Sequence, residues 1–237
     1  MAEQSQAPHI LLTRPLVQSQ RFARSLRVAA GQPLRITISP LMQAVFLSWD
    51  VPDVPSALIF SSETGVVAYA RRPIAGVVHA FCVGDATARV ARKAGLQAVS
   101  ARGDADDLIG LIRQHHGGGG LLHVRGADAR GNIAQRLTAV GLACDERVVY
   151  EQQVRPLSPA ALWLLSGQMP VVLPLFSPRS AMLLAQAGPV IAPLLIVAMS
   201  QAVADAATFP TCSSMRLALA PTAPAMCAAV VESLTSA

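Results

Sequence analysis

Apolar residues along this chain gather in short unbroken runs, and most runs break off at small polar residues. The first is Leu11-Leu12, which gives way to Thr13-Arg14-Pro15. Such a run suits a strand buried on both faces. Proline then stands where a helix can begin without its missing N–H. Phe22, Leu26 and Ala29-Ala30 recur at helical spacing, which predicts a helix ending at Gly31 with one apolar face. A strand that delivers an arginine to a helix N-terminus makes an anion site, because guanidinium and unpaired amides point the same way.

The alternation continues. Residues 34–41 read as a strand (Leu34, Ile36, Ile38), followed by a loop punctuated by Pro40, Pro52 and Pro55. Ala57-Leu58-Ile59-Phe60 is a buried strand that runs into Ser61-Ser62-Glu63-Thr64-Gly65, with a helix over 66–71. Phe81-Cys82-Val83 is the next strand, ending in Gly84-Asp85-Ala86-Thr87-Ala88 and a helix to Gly95. Residues 97–100 form a strand. Asp106-Asp107 opens an amphipathic helix (Leu108, Leu111, Ile112), with acids at its positive end. The four glycines 117–120 precede a strand rather than follow one, so they read as a connector and not as a phosphate loop.

After the glycines the pattern restarts. Leu121-Leu122-His123-Val124-Arg125-Gly126 echoes residues 11–15, and Ile133, Leu137 and Val140 line a helix ending at Gly141. Phe176-Ser177-Pro178 echoes Phe60-Ser61-Ser62, and residues 197–204 echo 82–88. Gly84 follows Ser61 by 23 residues, and Ser200 follows Ser177 by 23. A last helix (Met226, Val230, Leu234) opens at Ala220-Pro221-Thr222. Two copies of an alternating strand–helix unit predict mainly parallel sheets with helices on both faces. Ligands of such sheets sit beyond the carboxyl ends of the strands. Each polar cluster named above lies at such an end, and two such domains put a cleft between them.

Composition narrows the class. The chain has 237 residues, 52% hydrophobic and 14% charged, ample for a core and unlike a disordered chain. The first nine residues are polar, with no basic start before an apolar run, so no signal peptide is expected. The apolar stretch 190–199 is too short to span a bilayer and contains Pro193, so a soluble, cytoplasmic protein without membrane contact is expected. Cys82, Cys144, Cys212 and Cys227 stand far apart, with no C-x-x-C pair, which argues against a disulfide framework or zinc site. The net charge of +5 is scattered, with a single lysine (Lys93) and no basic run, so nucleic acid is not expected as a partner. Arginine suits carboxylates and phosphates, which fits an acidic small molecule, although a GC-rich genome explains the scarcity of lysine as well.

The ordered set of motifs resembles uroporphyrinogen-III synthase. The resemblance rests on Thr13-Arg14-Pro15, Ile59-Phe60-Ser61-Ser62, Val83-Gly84-Asp85-Ala86-Thr87-Ala88, Arg125-Gly126, Glu146-Arg147-Val148-Val149-Tyr150 and Phe176-Ser177-Pro178. It covers nearly the whole chain in order. It implies two flavodoxin-like parallel-sheet lobes joined by a two-strand linker, with a cleft between them. Residues 1–38 with 153–237 would form one lobe, and 39–152 the other. It implies a lyase that uses no cofactor and no metal. Hydroxymethylbilane loses its terminal hydroxyl to give an azafulvene, ring D attacks through its substituted carbon, and the spiro intermediate fragments and recloses to uroporphyrinogen III. Net loss is one water, and ring D is inverted. The partners implied are hydroxymethylbilane and a transient contact with the enzyme that makes it. A monomer is expected, because the repeat already pairs with itself.

The substrate is an octacarboxylate, so the site needs many N–H and O–H donors. Ser61, Ser62, Thr87, Ser177, Ser180 and Ser200 are candidate donors at the turns; each could equally cap a helix. Arg14 and Arg125 are equivalent in the repeat, and the expectation is that one meets substrate carboxylates and the other a structural acid, with the two unranked. Tyr150 is the candidate for the chemistry, at the end of a strand over 147–149 where the family has a cleft-facing tyrosine. A phenol is a weak general acid, so its role is as much positioning as proton transfer. Three residues depart from the family's pattern. Glu63 stands where a small or amide residue is usual, Val203 where threonine is frequent, and Ser200 where glycine is frequent. These departures leave open a non-catalytic tetrapyrrole or polycarboxylate binding protein of the same fold. A flavodoxin-type nucleotide binder is a weaker reading, since no G-x-G-x-x-G follows a strand and no P-loop lysine is present.

Overall fold

A computed structural model describes residues 8–51, 53–129 and 131–235. The polar lead-in 1–7, Pro52 of the proline-rich loop and the last two residues lie outside that range. The chain divides into two compact units, 1–43 with 154–237 and 44–153.

In chain order the elements begin with β1 (His9–Leu12), α1 (Leu16–Ala30) and β2 (Ile36–Ile38), followed by β3 (Met42–Phe46). Then come β4 (Ala57–Phe60), α2 (Glu63–Ala70), β5 (His79–Cys82), α3 (Asp85–Lys93), β6 (Gln97–Ser100) and α4 (Ala105–His115). Next are β7 (Leu121–Gly126), α5 (Ile133–Ala139) and the long β8 (Cys144–Val154), within which the chain returns to the first unit. The last elements are α6 (Pro159–Leu165), β9 (Val171–Leu175), α7 (Pro178–Ala185), β10 (Leu194–Ala198), α8 (Gln201–Ala206), β11 (Cys212–Leu217) and α9 (Ala223–Thr235).

The first unit's sheet runs β11-β10-β9-β1-β2, with each neighbouring pair parallel. Counted along the chain within that unit, the spatial order is the flavodoxin-like 2-1-3-4-5. The second unit's sheet runs β3-β8-β7-β4-β5-β6. Its strands β8, β7, β4, β5 and β6 are parallel and match β2, β1, β9, β10 and β11 place for place. The echoed sequence motifs therefore occupy equivalent strands. The second unit reaches that order from a different starting strand.

The central strands of both sheets are buried on both faces, as near-continuous apolar strands require. In the first unit Leu173 and Leu175 pack under α6–α8, while Ile10, Leu12 and Val172 pack against α1 and α9. In the second, Leu58, Phe60, Leu122 and Val124 face α2 and α3, and Ala57, Ile59 and Leu121 face α4 and α5.

Four expectations are corrected. The buried face of α1 is Ser19, Phe22, Ala23 and Leu26, a stripe at i, i+3, i+4 and i+7, and Ala29 is exposed. Ser19 is accepted there because its hydroxyl donates back to Arg14 O at 2.8 Å. The loop after Pro40 contains β3, whose alternation of Met42, Ala44 and Phe46 was masked by the flanking prolines. Val140 lies beyond α5 and is exposed. Tyr150 does not end a strand: β8 continues four residues past it.

Gly65 shows how tightly α2 sits on the sheet. A Cβ there would lie 2.8 Å from Val124 O, a backbone atom that cannot step aside. Helix propensity alone would favour alanine by about 1 kcal/mol. Overpacking wins: Gly65→Ala lowers stability by about 1–3 kcal/mol in urea unfolding.

Candidate functional site at the two switch points

Parallel pairing places the carboxyl ends of all these strands along one edge of each sheet. Where the strand order reverses, two neighbouring strands send their chains in opposite directions and a crevice opens. In the first unit that point lies between β1 and β9, and in the second between β7 and β4.

At the first switch point β1 ends in Thr13-Arg14 and β9 in Phe176-Ser177. The Arg14 guanidinium stacks over the Phe176 ring, 4.0 Å from its centroid, and Phe176 meets Phe22 edge-on at 4.9 Å. The stack holds Arg14 against the residue that precedes the Ser177 turn. Ser177 caps α7: its Oγ accepts from Ser180 N at 3.1 Å and lies 2.9 Å from Ser180 Oγ. Arg14 on its ring and the hydrogen-bonded pair Ser177–Ser180 thus stand at the same strand ends. Ser200 stands apart, exposed after β10, and its side chain makes no capping bond.

The second switch point is more closely knit. Ser62 caps α2, its Oγ accepting from Gly65 N at 3.1 Å and lying 2.9 Å from the Tyr150 hydroxyl. Ser61 Oγ lies 3.1 Å from His123 Nε2. A break in the β7–β8 register aims Tyr150: Arg125 pairs with Val148, but Gly126 pairs with Tyr150. Val149 is the extra residue. Successive strand residues normally face opposite ways, yet the bulge turns Val149 and Tyr150 into the same core cluster. Gly126 makes room for the ring, since a Cβ there would stand 2.5 Å from Tyr150 Cζ. Burial raises the Tyr150 phenol above its ordinary pKa, against the opposing pull of the Ser62 hydrogen bond. The phenol stays protonated and can donate.

Arg125 is engaged by the protein. It pairs with Glu146 at 2.5 Å and donates to Gly126 O and Ala127 O. Its hydrogen bond is the main cause holding the Glu146 carboxyl below its usual pKa. Thr87 is buried in the first turn of α3. Of the residues read from sequence, Ser61, Ser62 and Tyr150 meet at one switch point and Arg14, Ser177 and Ser180 at the other. Thr87 and Ser200 join neither hydrogen-bonded cluster.

His123 and Gly126 were missed as site residues. His123 sits inside an apolar strand run, where a lone histidine reads as core. Its partner lies 62 positions earlier. All four cysteines are free, and burial pushes the Cys82 and Cys144 thiols up to about 12, so they stay protonated near neutral pH. Among the described residues no group of three His, Cys, Asp or Glu is placed to hold a metal, and no helix is long and apolar enough to cross a membrane.

Fold and site define a class: a two-unit parallel α/β protein with hydroxyl-bearing turns at both of its switch points. The sequence profile described as "Uroporphyrinogen-III synthase HemD" matches residues 21–228. The chain belongs to that family, an enzyme family of tetrapyrrole biosynthesis whose members are cofactor-independent cyclising lyases acting on hydroxymethylbilane. In structure it is similar to the uroporphyrinogen-III synthetase of Helicobacter pylori, with a TM-score of 0.67 at 16% identity over 96% of this chain and 99% of that one. A triply substituted uroporphyrinogen III synthase of Thermus thermophilus gives 0.51 at 13% identity over 97% and 100%. At these identities both likenesses concern the fold. No curated protein matches the sequence.

The site also sets a pH response. Burial holds His123 down at about 4 against an ordinary 6.5, with Arg125 adding to the effect and Glu146 opposing it. The folded protein therefore binds fewer protons here than the unfolded chain. Stability from this group is whole above pH 6.5 and is lost as pH falls toward 4, a difference of about 3 kcal/mol. Urea unfolding across that window shows the native chain losing stability relative to His123→Gln, which has nothing to titrate there. Parallel curves would show that His123 is free to ionise in the fold.

Proposed function

We propose that this chain closes hydroxymethylbilane to uroporphyrinogen III with inversion of ring D and loss of one water, in the cytoplasm. The observation that supports this most directly is the supply of hydrogen-bond donors at the strand ends. Ser61, Ser62 and Tyr150 cluster at one switch point, Arg14, Ser177 and Ser180 at the other. In this reading the turns receive carboxylates of the bilane, so the donors hold a flexible polyanion in few conformations. Thr87 and Ser200 contribute from the neighbouring turns, after β5 and β10. Arg14 is the arginine for substrate; Arg125, held by Glu146, orders its own turn.

Tyr150 works through its neutral phenol. Ser62 Oγ already accepts from Gly65 N–H, so it retains one proton and one lone pair. With the Ser62 proton directed at the phenol oxygen, the Tyr150 O–H is left to donate to the departing hydroxyl of the bilane. A phenol with a raised pKa transfers a proton poorly. Its contribution is to hold and polarise that hydroxyl while ring D is positioned for attack.

Incubation of the purified chain with hydroxymethylbilane, followed by chromatographic separation of product isomers, tests this. Isomer III is expected; isomer I alone, the uncatalysed product, would refute the activity. Tyr150→Phe should lower kcat about tenfold or more with KM little changed, since the hydrogen bond strengthens only as the hydroxyl leaves. Full activity in that variant would remove Tyr150 from the chemistry.

A further inference from the structure

We propose that His123 is a positioning residue: its Nε2–H donates to Ser61 Oγ and so directs the Ser61 proton outward, toward a carboxylate of the substrate. The role of Ser61 in this inference rests on the synthase reading; the protonation pattern of His123 does not.

His123 is 1% exposed, so each ring nitrogen must be satisfied inside the protein or go without. Nε2 has Ser61 Oγ at 3.1 Å. Nδ1 is buried with no partner among the described residues. The imidazolium, with two N–H groups, would strand one charged donor, and burial disfavours it strongly. Of the two neutral tautomers, the one protonated at Nδ1 leaves an orphan N–H, the rarer defect in folded proteins. The one protonated at Nε2 leaves only an unused lone pair. The second is the consistent choice, and it makes Ser61 an acceptor from His123.

A serine hydroxyl whose lone pair is filled from within keeps its single proton for another acceptor. Ser61 is half-exposed beyond the end of β4, so that proton faces the crevice edge and not the core. The next residue repeats the device: a backbone N–H fills a lone pair of Ser62. Two adjacent hydroxyls are thus supplied from inside by N–H donors. Ser62 directs its own proton at the Tyr150 oxygen, so the hydroxyl proton this turn keeps for a ligand is that of Ser61; it suits a carboxylate, which can only accept, and offers less to a neutral donor. Since His123 remains neutral, it fixes direction without adding charge.

Nitrogen-15 NMR of the full chain with labelled histidine reads the tautomer directly. The expected result is a proton on Nε2 of His123 and a bare Nδ1 at neutral pH, in protein free of substrate. A proton on Nδ1 overturns the proposal. Kinetics give the second readout. His123→Leu should raise KM about tenfold at nearly unchanged kcat, the effect of one lost hydrogen bond. His123→Gln, which retains a side-chain N–H at that reach, should restore KM to within about twofold. In Ser61→Ala the His123→Leu change should add nothing further, because the two act through one hydroxyl. Additive losses, or equal losses in the Leu and Gln variants, would assign His123 to packing alone. Absence of isomer III from the native chain would defeat the synthase reading and leave the NMR result to stand or fall by itself.

Discussion

The constraint on which the rest of this structure depends is parallel pairing with a reversal in strand order. Parallel strands send every carboxyl end to one edge, so each strand must hand over to a turn there, and each turn to a helix. The amides of those first helical turns lack partners in their own helix. Where order reverses, between β1 and β9 and between β4 and β7, the turns diverge and their donors are left facing a crevice. The small hydroxyl residues follow from that geometry. Serine at such a turn caps the helix with its lone pair and still has a proton to offer. Ser62 and Ser177 cap their helices in this way.

The second unit adds a feature the first lacks. β8 must carry a tyrosine from the sheet to the switch point, and regular alternation would turn it away from the face that Val149 occupies. One inserted residue reverses it, at the cost of a break in the ladder. The ring then needs the space above β7, and only a glycine at 126 leaves it. The bulge, the glycine and the Ser62 hydroxyl are three parts of one device that fixes a phenol in direction. The first unit has an arginine stacked on Phe176 near the corresponding place. A duplicated scaffold has thus diverged into two kinds of donor, one neutral and directional, the other cationic.

Much of the scaffold could be read from the chain, because doubly buried parallel strands leave unbroken apolar runs and each run here ends in a recognisable polar turn. The repeat survived as spacing: 23 residues separate corresponding turns in both halves. What escaped was whatever depends on pairing between distant residues. Tyr150 and Ser62 are 88 positions apart, and nothing in Glu-Arg-Val-Val-Tyr signals that register slips by one residue within it. His123 was hidden by its setting, since an apolar strand with one histidine has the same pattern whether that residue packs or orients. β3 failed for a local reason: its alternating run is short and lies between prolines that read as loop.

A site of hydroxyls and amides, as proposed for these turns, has a physical reason in the substrate's charge. An octacarboxylate bound by many guanidinium groups would be held tightly in any conformation that brought charges together. Ring closure, however, requires the chain to be held in one conformation and released as a cyclic product with the same carboxylates. A long side chain must lose much rotamer freedom to hold a carboxylate, whereas a turn amide or a serine proton fixed from behind is already in place and accepts only a narrow range of approach. Selectivity for isomer III over isomer I is a matter of which carbon of ring D reaches the azafulvene, and both routes carry identical charge. Charge attraction cannot separate them; directional donors can. On the proposed donor pattern, the N–H groups behind Ser61 and Ser62 would settle the direction of those hydroxyls before a substrate arrives.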